Sequence, residues 1–79
     1  MTQQTKMIDA RRLLCPMPVI RLQQGIVGLK SGDVVTLVCT DPGALEDVPA
    51  WCRIHHHEIL LVEERNNEIT IKISVEPLR

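Results

Sequence analysis

The sequence predicts an α+β fold: a two-layer α/β sandwich, β-α-β-α-β-β along the chain, with a four-stranded mixed sheet and two helices on one face. Three observations predict it. Residues 34–39 read VVTLVC, a continuous apolar and β-branched run that suits a covered strand. Val19, Leu22, Ile26 and Leu29 recur at i, i+3, i+7 and i+10, which is one face of a helix. Ile69, Ile71, Ile73 and Val75 alternate with Thr70, Lys72 and Ser74, so the last strand turns one side to a core and the other to water.

The chain of 79 residues has room for a single small domain over 1–79. A domain of this size buries only about 60 to 65 % of the surface its unfolded chain exposes. Apolar residues make up 44 % of the chain, with no Phe, no Tyr and one Trp, so the core must be built from Leu, Ile and Val. A first strand is expected over 6–11, with Met7, Ile8 and Ala10 as its apolar content. The first helix follows over 16–29. Gly25 and Gly28 each cost it about 1 kcal/mol relative to Ala, so packing must stabilise it. Ser31, Gly32 and Asp33 turn the chain into the strand 34–39, which ends at Thr40-Asp41-Pro42-Gly43. Asp41 before Pro42 has the pattern of an N-cap with proline at the first helical position. Pro49 belongs in a first turn or at a kink, so residues 42–48 are expected as an irregular turn leading into a helix over 48–55. Strands over 58–64 and 68–75, joined at Arg65-Asn66-Asn67, form a hairpin. No repeat, linker or low-complexity stretch interrupts this order.

Nine Lys and Arg stand against ten Asp and Glu, a formal charge of −1. That balance argues against direct nucleic-acid binding and against a polybasic membrane anchor. No apolar run approaches the ~20 residues that span a bilayer, and the start MTQQTKM lacks the apolar stretch of a secretory signal. A cytoplasmic protein that does not engage a membrane is the expectation. Three cysteines, Cys15, Cys39 and Cys52, cannot all pair within one chain, which fits free thiols in a reducing compartment. No CxxC spacing supports a zinc site, and neither metal nor cofactor is expected. His55-His56-His57 at a helix-to-strand turn read as solvated or packing residues, and Trp51 as cover for the edge of the core.

The stretch LLCPMPVIRL, residues 13–22, carries the chemistry. Cys15 falls where a strand and loop hand over to a helix, at or next to the N-cap. Helix N-termini present unpaired N–H groups and a partial positive charge, both of which favour an anion such as a thiolate. Pro16 and Pro18, at the first and third helical positions, remove two donors and stiffen the turn, leaving the Met17 N–H for the sulfur. The helix end is worth up to ~2 kcal/mol, enough to take a thiol from about 8.5 towards 7 and to raise the thiolate at neutral pH to roughly half. Arg11 and Arg12 add to this if their side chains turn towards the sulfur. The alternative is a cysteine that merely packs, and Cys39 and Cys52 read that way. Met17 and Ile20 lie off the buried stripe near the sulfur end, with Arg12 and Arg21 on the rim, a surface suited to a partner protein.

The segments IDARRLLCPMPVIRL, SGDVVTLV, TDPG, DVPAWC and HHEIL resemble the TusA/SirA-like sulfur-carrier family from about Ile8 to Ile73. The CPxP element before a helix, with a DPxxxxDxPxxC series downstream, makes the likeness specific. It implies the same β-α-β-α-β-β sandwich and a sulfurtransferase that holds a sulfane sulfur as a persulfide on Cys15. It also implies Pro16 and Pro18 as the CPxP prolines, Asp9 as the family's early aspartate, Asp41 as the acidic residue before the second helix, and His57 as the histidine before the third strand. The implied partners are a sulfur donor, such as a cysteine desulfurase or rhodanese-like protein, and a downstream acceptor protein; separately from the resemblance, a monomer is the expectation. Members acting in tRNA thiolation often have glutamate between the prolines and a Gly-Leu-Arg lead-in. Here Met17 and Arg12-Leu13-Leu14 stand instead, so tRNA thiolation is one pathway among several.

Two other classes are weighed against this one. A non-catalytic RNA- or protein-binding regulatory module shares such small folds, but near-zero charge and the lack of Phe and Tyr remove the usual stacking platforms for RNA. A thiol redox protein would need Cys39 or Cys52 to approach Cys15 as a resolving partner.

Overall fold

The computed structural model describes residues 5–14 and 17–76. Among them run β1 (Thr5–Ala10), α1 (Met17–Gly25), β2 (Val34–Cys39), α2 (Ala44–Ile54), β3 (Glu58–Arg65) and β4 (Glu68–Ser74). The sheet order is β1-β2-β4-β3. β1 lies parallel to β2, with Ile8 opposite Leu37 and Ala10 opposite Cys39, while β4 is antiparallel to both β2 and β3. The last strand is therefore a central one. Its Ile69, Ile71 and Ile73 pack with Val35, Leu37 and Cys39 of β2 and with Leu22, Val48 and Cys52 from the two helices. Thr70 and Ser74 are half-buried and Lys72 is exposed on the opposite face. This is the predicted sandwich, both helices covering one face of a mixed sheet.

α1 ends at Gly25, four residues short of the expected 16–29. The chain then turns, Ile26 N–H donating to the Leu22 carbonyl at 3.1 Å and Leu29 N–H to the Ile26 carbonyl at 3.0 Å, with Gly28 at φ +89° inside the second turn. Ile26 and Leu29 still pack on the core, but from this turn. Gly25 has a positive packing role: a Cβ there would lie 3.0 Å from Ile8 Cγ1 and closer still to Cδ1, so the missing side chain lets α1 approach β1.

α2 departs from expectation at its start. It begins at Ala44 rather than 48 and carries Pro49 inside. Gly43 is the N-cap; Asp41 instead accepts the Gly43 N–H on Oδ1 at 3.3 Å and the Ala44 N–H on its carbonyl at 3.0 Å. Leu45 N–H to Pro42 and Glu46 N–H to Gly43 complete a tight first turn. Pro49 denies the Leu45 carbonyl its intrahelical donor, a local cost overridden because Ala44, Val48 and Cys52 are all buried along the same face. The helix closes with His56 left-handed at φ +65°, His56 N–H reaching the Arg53 carbonyl at 3.4 Å and His57 N–H the Cys52 carbonyl at 2.8 Å. That is the Schellman pattern, with histidine where glycine is usual.

The β3–β4 hairpin turns on Asn66 and Asn67, φ +53° and +65°, closed by the Arg65–Glu68 pair. Two left-handed central residues match the twist of paired strands, and asparagine tolerates them better than most. β3 is the exposed edge, with a register irregularity between Ile59 and Leu61. No helix among the described residues is long and apolar enough to cross a membrane.

Candidate functional site

Parallel pairing brings the C-terminal ends of β1 and β2 to the same end of the sheet. Beyond the last pair, Ala10 with Cys39, Arg12 N–H donates to Thr40 Oγ1 at 2.9 Å, and Arg12 adopts φ +66°. A left-handed residue with a Cβ costs about 1 to 2 kcal/mol. The chain then passes Leu13, which packs on the core, and Leu14, 76 % exposed, whose carbonyl accepts the Met17 N–H at 2.8 Å. Cys15 and Pro16, predicted as carrier residue and first proline, lie outside the described residues.

Two details of the expected thiolate environment change. The Met17 N–H, assigned to the sulfur from sequence, is engaged by the Leu14 carbonyl. Arg11 is likewise committed elsewhere. Its Nε and Nη2 donate to Asp9 Oδ1 and Oδ2 at 3.0 Å each, its backbone N–H to Asp9 Oδ1 at 3.0 Å, and its Nη1 to Glu68 Oε2 at 3.4 Å. The Arg11 side-chain and backbone hydrogen bonds hold the Asp9 carboxyl down at about 2, so Asp9 stays ionised and this clamp stays closed at neutral pH. Among the described residues Arg12 forms no ion pair, which leaves its guanidinium as the uncommitted cation at this end of the sheet. Asp9, Arg11, Arg12, Thr40 and Glu68 line a cleft of about 420 Å³.

Of the other predicted site residues, Pro18 is buried and wedges the start of α1 into the core. Met17 and Ile20 are each 37 % exposed, and with exposed Arg21 they share one face of α1 at i, i+3 and i+4. Leu14, ahead of the helix, is a further exposed apolar side chain. Thr40 and Glu68 were not singled out from sequence; both join the cleft through strand pairing, and the Thr40-Asp41-Pro42 sequence was the only local hint.

The remaining cysteines are enclosed. Cys39 and Cys52 have no exposed surface, and burial pushes each thiol up to about 11, with the Asp41 charge adding to the effect at Cys39. At pH 7 a thiol of that acidity is ionised in about one molecule in ten thousand. Neither is placed to act as a resolving thiol at the surface.

His57, implied by the resemblance as the histidine before the third strand, is at the other end of α2, a helix of 11 residues and about 16 Å. Its ring and that of His55 pack on Trp51, with centroids 5.1 and 4.6 Å away, and its Nδ1 accepts the Glu76 N–H at 2.9 Å. Trp51 itself packs on the core, as expected. Burial, then the neighbouring His55 charge, lowers the His57 pKa below its ordinary 6.5. As pH falls through that value the unfolded chain binds its proton first, so stability declines until the folded histidine protonates too. A His57→Gln chain should therefore show a shallower fall in Tm between pH 7 and pH 5 than wild type; parallel curves would contradict it.

The frame thus assembled is a SirA-like fold. The chain superposes on the SirA-like protein of Desulfitobacterium hafniense with a TM-score of 0.78 at 25 % identity, covering 91 % of this chain and 99 % of that one. The family model for sulfurtransferase TusA matches residues 6–75, and the chain belongs to the TusA family. It is 29 % identical over 66 residues to the sulfur carrier protein TusA of Buchnera aphidicola subsp. Baizongia pistaciae, covering 84 % of each chain. It is 37 % identical over 57 residues to the sulfur carrier protein TusA of Pseudomonas putida (strain GB-1), covering 72 % of this chain and 71 % of the relative. Sulfur carriage is the role that goes with this membership.

Proposed function

We propose that this chain is a sulfurtransferase that carries a sulfane sulfur on Cys15. The Cys15 thiolate attacks the terminal sulfur of a donor persulfide. A Cys15 Sγ–S bond forms, the donor S–S bond breaks, and the donor leaves as its thiolate. An acceptor thiolate then takes the terminal sulfur and Cys15 returns as thiolate, so neither step needs an external oxidant or reductant. The observation that carries this reading is the enclosure of Cys39 and Cys52, which leaves Cys15 as the thiol for the family's chemistry.

Pro16 and Pro18 stiffen the carrier loop. Asp9 supports it through Arg11. Asp41 shapes the adjoining turn through Gly43. Leu14, Met17 and Ile20 form an apolar collar, rimmed by Arg12 and Arg21, on which a cysteine desulfurase or rhodanese-like donor and an acceptor protein dock in turn. The carrier works as a monomeric single domain in the cytoplasm. Incubation with a persulfide donor followed by peptide mass spectrometry tests the assignment. The mass of one added sulfur atom is expected on the Cys15 peptide, and its appearance on Cys39 or Cys52 instead would sink it.

A further inference from the structure

We propose that Thr40 is a positioning residue for sulfur transfer: its hydroxyl holds the Arg12 amide and so sets the left-handed turn from which the carrier loop departs. This rests on the reading of Cys15 as the carrier.

Two anchors bracket Cys15 in sequence. On the far side, the Leu14 carbonyl is tied to the Met17 N–H at 2.8 Å, which joins the loop to α1. On the near side, the tie is Arg12 N–H to Thr40 Oγ1 at 2.9 Å. Strand pairing cannot supply this second tie. The β1–β2 register ends at Ala10 with Cys39, and a chain turning through φ +66° at Arg12 leaves the ladder. Thr40 is the first residue beyond β2, and its side-chain oxygen replaces the carbonyl that a continuing strand would have offered. Without it the Arg12 N–H loses its partner, and a conformation unfavourable for any residue with a Cβ loses the bond that selects it. The β1 side of the loop then keeps the Asp9–Arg11–Glu68 clamp one residue upstream and the packing of Leu13 on the core, neither of which fixes the Arg12 backbone itself. Reactions of positioned nucleophiles are sensitive to such slack, since about 1 Å of misplacement can cost on the order of a hundredfold in rate.

The test compares Thr40→Val, which keeps the shape and removes the acceptor, with Thr40→Ser, which keeps the acceptor. Two quantities are read on the Cys15 peptide: the pH midpoint of alkylation by iodoacetamide, and the rate of sulfur uptake from a small-molecule persulfide. Thr40→Val is expected to raise the midpoint and slow uptake by about tenfold, and Thr40→Ser to stay close to wild type. A Thr40→Val chain with the wild-type midpoint and uptake rate overturns the proposal. Amide exchange in the unmodified protein offers a check that needs no variant. An Arg12 amide exchanging as slowly as the strand amides supports it, and one exchanging as fast as an open loop overturns it. Failure of the carrier reading looks different. There a Cys15→Ser chain would still take up sulfur, whereas failure of positioning alone leaves uptake dependent on Cys15 and indifferent to Thr40.

Discussion

A Cys15→Ser chain is expected to take up no sulfur from a persulfide donor and to deliver none to an acceptor, a loss of on the order of a thousandfold or more. Serine keeps the size of the side chain but its hydroxyl is scarcely ionised at neutral pH, and oxygen cannot hold the transferable S–S bond. The other two thiols give no rescue, because both have no exposed surface and are held at about 11. Conversely, Cys39→Ala and Cys52→Ala chains that remain folded should load sulfur at the wild-type rate. Uptake by each variant, followed by mass spectrometry with circular dichroism as the control for folding, decides the matter. Substantial loading of Cys15→Ser would remove the proposed role.

The largest effect on stability is expected from Ile71→Ala. Ile71 sits in the middle of β4, has no exposed surface, and is paired with Leu37 of β2 on one side and Val62 of β3 on the other. Truncating it removes apolar burial and leaves a cavity that close-packed neighbours fill only in part, at a cost of about 3 to 5 kcal/mol. A domain of this length holds roughly 4 to 12 kcal/mol in total, and Tm should fall by roughly 15 to 30 °C. Lys72→Ala, one residue along and on the wet face, should stay within about 0.5 kcal/mol of wild type. Thermal and urea unfolding of the two variants would measure the contrast. Similar losses for both would mean that β4 does not divide core from solvent as described.

The elements themselves were legible because their signals are local. Alternation along β4, the VVTLVC run and the stripe of Val19, Leu22, Ile26 and Leu29 each declare a buried face within one segment. The start of α2 was misjudged for the same reason. Proline propensity argues locally against a helix through Pro49, and the burial of Ala44, Val48 and Cys52 that overrides it is a property of the packed whole. At the site, Cys15 could be put forward as the carrier thiol from cysteine count, context and the CPxP pattern. The partners of its neighbours could not be read that way: Arg11 pairs with Glu68 across 57 residues and Arg12 with Thr40 across 28.

The order of the elements, the hairpin at Asn66-Asn67, the composition of the core and the position of Cys15 ahead of α1 all follow from the sequence of this protein. Only the tertiary structure decided that the last strand lies inside the sheet, that Arg11 pairs with Asp9 and Glu68, and that Thr40 Oγ1 accepts the Arg12 N–H. The physical reason is range. Periodicity, capping and turn chemistry act over a few residues, whereas register between β1, β2 and β4 is settled by burying all the apolar faces at once, and every contact beyond the strand ends follows from that register.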